Sequence, residues 1–207
     1  NRGTGPLELY PVHEPCGTGG TKVFQRLYVD ANTNGFERGT DTAFHDQYAG
    51  CMEYHAQHRH WHFENFAKYS LHPITTTSGA EQLGTAIKES PKVSFCMVDT
   101  LRKDPSLTGS PAQKYYTECG RTSTLGISIG WSDVYGETLS GRYFEISGVP
   151  DGAYCIASTA DPAVSTSVDG LLVESNNSNN SASTRVQLAG TTVTTTSTHP
   201  YSSTCGL

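Results

Sequence analysis

RYFEISGVPDGAYCIASTA, residues 142–160, decides the fold class. Two alternating runs flank the turn GVPDGA, residues 148–153. Proline presets the backbone for a turn, Asp bonds its own backbone, and Gly accepts positive φ. The segment is therefore predicted to be a β-hairpin. Working outward, short β-branched or aromatic runs recur between turns: TKVFQRLYVD (21–30), PKVSFCMVDT (91–100), LGISIGW (125–131), TRVQLAG (184–190) and TTVTTTS (191–197). Many short strands separated by Gly and Pro argue for an all-β domain, a β-sandwich or a distorted barrel. The expectation is one domain over residues 1–207: a disulfide-braced β-sandwich with long loops and little helix. SGAEQLGTAIKES, residues 78–90, is the best helix candidate.

Composition narrows the function. The net charge is -6 and 16% of residues are charged, with no Lys/Arg cluster to follow a phosphate backbone, which argues against nucleic-acid binding. An acidic protein attracts cationic partners. No apolar run approaches a membrane span. No leader pattern is visible, and a start at Asn1 is expected to reflect processing or truncation. The six cysteines are widely spaced, with no close pair. Low charge and abundant Ser, Thr, Asn and Gly suggest a secreted protein with three bridges. Six cysteines allow 15 pairings; the sequential set, 16–51, 96–119 and 155–205, is expected.

The chemistry concentrates in EYHAQHRHWHF, Glu53–Phe63, which holds four of the eight histidines. His58, His60 and His62 alternate, so an extended strand would project all three from one face. Neighbours on that face are about 6.5 Å apart, so a bend is needed to bring three nitrogens to one ion. Neutral imidazoles suit copper, zinc, nickel or iron and not calcium or magnesium. The metallo-β-lactamase pattern wants Asp where Trp61 stands. A cupin-like enzyme using His58, His60 and Glu64 remains open, as do a metal-binding β-sandwich without catalysis and an exposed polar strand face.

Two further stretches, SPKVSFCMVDT (90–100) and GWSDVYGE (130–137), follow the histidines in order. Together the three resemble the lysyl oxidase family from about residue 40 to 190. That resemblance implies a copper site at His58, His60 and His62. It implies a lysine tyrosylquinone made from Lys92 and Tyr135, with Asp133 as general base and Asp99 as a rival base or an acceptor for a copper histidine. The activity it implies is oxidation of a primary amine, or of lysine in a protein substrate, by dioxygen. Such a reaction needs a two-electron sink, which ordinary side chains lack. Gln57, Lys68 before Tyr69, and Trp131 depart from the vertebrate pattern, which points to a distant, microbial branch.

The resemblance also implies calcium, a hard cation that prefers oxygen ligands. The ligands would be Glu174, Asn176, Asn179 and Asn180 in ESNNSNN, joined by Glu8 or the Leu9 carbonyl. Asn176 and Asn179 also satisfy the N-glycosylation pattern. DANTNGFERGTD (30–41) fits a calcium loop only loosely and reads as a turn, as does CGTGGTK (16–22).

Overall fold

A computed structural model describes residues 1–91, 93–136, 143, 145–164, 170–199, 205 and 207. Among them the strands are β1 (Leu7–Cys16), β2 (Gly20–Tyr28), β3 (Phe44–His55), β4 (His60–Thr77), β5 (Ala80–Leu83), β6 (Lys88–Glu89) and β7 (Val93–Phe95). Then come β8 (Leu101–Arg102), β9 (Leu125–Ile127), β10 (Trp131–Ser132), β11 (Gly152–Ala160), β12 (Ser181–Ala189) and β13 (Thr192–His199). The only helical element among the described residues is a 3₁₀ turn, Asn177–Asn179. None of their helices could cross a membrane. The chain is all-β, and its registered ladders are antiparallel.

The residues group into two compact units. The first comprises Asn1–Glu64, Ser94–Glu137 and Ala163–Asn176. Here β1 pairs with β2 on one side and β9 on the other, β2 pairs with β3, and β3 with the start of β4. Two prolines sit in β1, and its register slips between Pro11 and Pro15, because proline removes a ladder donor. Along β2, Thr21, Val23 and Gln25 are buried while Lys22, Phe24 and Arg26 are partly exposed, the period of two that a half-buried strand requires. Leu9, Val23, Met52, Met97, Leu125 and Ile129 form its buried core. Each such side chain contributes roughly 1.5–3 kcal/mol relative to exposure. Gly126 on β9 faces both the Leu7 carbonyl and the Tyr116 ring, where a Cβ would collide.

The second unit comprises Asn65–Val93, Thr138–Pro162 and Asn177–Leu207. Its core is Leu71, Tyr154, Val186 and Leu188, with Ile146, Val149 and Ile156 packed against them. β11 is the central strand, flanked by β4 and β12. This corrects the predicted hairpin. The turn exists: Val149 N donates to Ile146 O at 2.9 Å, and Tyr154 Oη donates to Pro150 O at 2.8 Å. Tyr143, Glu145 and Ile146, however, are not in a strand; Arg142 and Phe144 lie outside the described residues. A strand has two edges, and longer non-local partners take both edges of β11.

The predicted helix over 78–90 is also corrected. Ser78 and Gly79 adopt φ of 54° and 84°, the left-handed pair a two-residue hairpin turn requires. β5 then folds back onto Ile74–Thr77 and β6 onto Ser70 and Leu71. The β-branched run Ile74–Thr77 favours that outcome.

The three disulfides are Cys16–Cys51, Cys96–Cys119 and Cys155–Cys205, the sequential set. No described cysteine is free. Such bridges fit an oxidising compartment.

Candidate metal centre

The histidines lie on the hairpin between β3 and β4, in the first unit. Its register pairs Glu53 with His62, Tyr54 with Trp61, and His55 with His60. Directly opposed residues share a face. Glu53, His55, His60 and His62 therefore share one face, and Tyr54 and Trp61 the other. The turn is closed by His58 N and Arg59 N, which both donate to His55 O at 3.1 and 2.8 Å. Arg59 carries a φ of 59°, which reverses the chain.

His58 is thus in the turn rather than on the strand predicted for residues 58–62. This supplies the bend that a straight strand lacks. The turn folds His58 back over its neighbours, and one nitrogen each from His55, His58 and His62 lies within 4.8 Å of the others. His58 Nδ1 and His62 Nε2 are 3.3 Å apart. The His55 and His62 rings stack at 4.6 Å with 8° between planes. His60 stands beside the group, its ring 4.8 Å from that of His62 and 5.7 Å from that of His58.

His55 has no place in the alternating run. A period of two relates residues of one strand, whereas His55 joins from the opposite one. The signal available was a histidine three positions before the alternating run.

The site fits a transition metal. His55 Nδ1 and His60 Nε2 are buried without a hydrogen-bond partner, a costly state that a cation would relieve. Burial, then the charges of His58 and His55, pushes the His60 imidazolium below its ordinary range. Neutral imidazoles keep the lone pairs that a metal needs. His62 is only 2% exposed, and its Nδ1 lies 3.1 Å from Ser94 Oγ on β7. Burial first, then the charge and hydrogen bond of Glu53, holds the Glu64 carboxyl above its ordinary range.

Tyr135 lies in the segment after β10. Its hydroxyl donates to Cys96 O at 2.8 Å, and its ring meets Phe95 edge-on at 4.7 Å. These contacts fall three and four residues after Lys92, which itself lies outside the described residues. The Cys96–Cys119 bridge continues the connection, and Trp61 N donates to Cys119 O at 2.9 Å. The tyrosine's anchor is thereby tied to the histidine hairpin. Asp133 is half-buried two residues before Tyr135, on irregular backbone rather than in a strand.

Asp99 proves to be a clamp. It is 1% exposed and accepts from Tyr115 N, Tyr116 N, Ser128 N and Ser128 Oγ. Three of these donors converge on Oδ2 and one on Oδ1, which fixes the carboxylate between the Tyr115–Tyr116 backbone and Ser128. Glu8, considered above for calcium, has its carboxylate engaged by Tyr28, Tyr116 and Arg38. Of the other calcium candidates, Glu174 and Asn180 are half-buried and Asn176 and Asn179 exposed. In the loop over residues 30–41, Asp30 and Asp41 accept from Gly35 N and Glu37 N, as side chains that staple a turn.

Across residues 26–198 the sequence matches the family profile described as Lysyl oxidase. Lysyl oxidase homolog 2 of Gallus gallus is 32% identical over 110 residues, and those of Rattus norvegicus and Homo sapiens are 31% identical over the same length. The aligned part covers 53% of this chain and 12% of each relative.

Proposed function

The chain belongs to the lysyl oxidase family, and on that premise we propose that it is a secreted copper-dependent amine oxidase. Its substrates are primary amines, including lysine side chains of proteins, and dioxygen. Its products are an aldehyde, ammonia and hydrogen peroxide. We read residues 1–207 as a single catalytic domain. Family membership argues against the cupin-like reading of His58, His60 and Glu64.

The observation that carries the proposal is the seating of Tyr135 on Phe95 and Cys96, just beyond Lys92 and tethered to the histidine hairpin. Copper and a lysine tyrosylquinone would supply the redox chemistry, withdrawing two electrons from the amine and delivering them to dioxygen. The residues that would hold the copper are His58, His60 and His62, joined by His55 from the opposite strand. Lys92 and Tyr135 would furnish the two halves of the quinone. Asp133 would take the proton from the carbon bearing the amine, a role that needs a carboxylate held close to that carbon. The acidic balance of the chain favours cationic amines. Calcium at Glu174, Asn176, Asn179 and Asn180 belongs to the same proposal, supported by the preference of that ion for oxygen donors.

Peptide mass mapping of copper-loaded protein, with a redox-cycling quinone stain, tests this reading. A stained peptide joining Lys92 to Tyr135 is expected. Lys92→Arg should abolish both the stain and amine-dependent peroxide release while leaving copper content unchanged. Separate, unmodified Lys92 and Tyr135 peptides after full copper and oxygen loading would overturn the assignment.

A further inference from the structure

We propose that Ser94 is a positioning residue of the metal centre, whose hydroxyl holds His62 in the orientation and tautomer that turn Nε2 toward the ion. The inference rests on the histidine hairpin being a metal site; it does not require the quinone.

His62 has a different partner at each ring nitrogen. Nδ1 lies 3.1 Å from Ser94 Oγ, and Nε2 lies 3.3 Å from His58 Nδ1. The ring is buried and stacked on His55, so it has little freedom to turn. A neutral imidazole carries one proton. If that proton sits on Nε2, it bridges to His58 and blocks both nitrogens nearest the other imidazoles. If it sits on Nδ1, Nε2 and His58 Nδ1 each offer a lone pair to the same point. The second arrangement requires an acceptor beside Nδ1, and Ser94 Oγ is there. Metal-bound histidines generally donate their remote N–H to such an acceptor, and losing it weakens metal binding by about 10–100-fold.

The position of Ser94 is set by the sheet. It is the middle residue of β7, which pairs with β4, the strand that carries His62. Val93 and Phe95 on either side are buried, so the Ser94 side chain points to the opposite face, as alternation along a strand requires.

The test compares two near-isosteric variants of the full chain, Ser94→Thr and Ser94→Val, which differ in the hydroxyl. Each is titrated with Cu(II) against a competing chelator. The remote-nitrogen quadrupole coupling of the bound imidazoles is read by pulsed electron paramagnetic resonance. Ser94→Thr should bind within about threefold of wild type with the same coupling, and Ser94→Val about 10–100-fold more weakly with one remote coupling changed. Equal affinities and identical couplings for the two variants, in a protein that binds copper, would overturn this inference alone. A wild-type chain that takes up no copper at its histidines would overturn the metal-site reading as well. A chain that binds copper but forms no link between Lys92 and Tyr135 would overturn only the amine-oxidase proposal.

Discussion

Glu8 shows what a single residue can decide. It is 4% exposed, and burying a carboxyl group is costly unless its oxygens are hydrogen-bonded. Tyr28 and Tyr116 donate to its two oxygens at 2.7 and 2.6 Å. Arg38 pairs with it at 3.3 Å and donates to the Tyr116 hydroxyl. Burial, then the neighbouring carboxylate, pushes the Tyr28 phenol up to about 12, and the same causes push Tyr116 up as well. The unfolded chain releases tyrosine protons near pH 10 while the folded chain retains them. Stability from the Tyr28 phenol is therefore complete below pH 10 and is lost as pH rises through about 12, and Tyr116 adds a loss of the same sign. Denaturant unfolding between pH 8 and 11.5 should show this decline, and Tyr116→Phe should flatten it. At neutral pH the same variant should cost about 1–3 kcal/mol, because Glu8 loses a donor it cannot replace from solvent. A wild-type curve no steeper than that of the variant would count against the network. Nothing in the local sequence around Glu8 signals this role, since its partners lie 20, 30 and 108 residues away.

At the scale of the element, the alternating histidines were legible as a metal motif, but their geometry was not. A period of two describes a straight strand, and the β3–β4 turn breaks that period at Arg59. The turn moves His58 off the strand, and the cross-strand pair brings in His55. A metal that binds the folded hairpin stabilises it by mass action, about 2.7 kcal/mol at a hundredfold excess over Kd. Copper should therefore raise the thermal midpoint of wild-type protein, and a chelator should reverse the rise. His62→Ala should abolish it, and His55→Ala should remove most of it. A full rise in His55→Ala would leave His58, His60 and His62 as the ligand set. The misassigned elements have the same kind of cause. Residues 142–160 contain a sound turn, yet β11 gives both edges to distant strands. In the 78–90 segment, Ser78 and Gly79 make a hairpin turn where helix propensity alone would continue.

For the whole molecule, the bridges set how much of the chain can unfold freely. Cys155–Cys205 closes a separation of 50 residues, the longest of the three. Replacing both cysteines with serine should lower the unfolding free energy by roughly 4 kcal/mol in the chain-entropy account. A loss under about 1 kcal/mol would show that the unfolded chain is already restrained there. The all-β class, the absence of a long helix among the described residues and the histidine run as a candidate metal motif were readable from the amino-acid string. They depend on turn residues, β-branched runs and motif order, which are local properties. Tertiary structure alone decided that His55 faces His62, that Asp99 and Glu8 are locked by distant donors, and that Tyr135 rests beside Cys96. Each of these depends on which strands and loops meet across large separations in sequence. That choice is made by competition for strand edges and buried space, which no short window of sequence records.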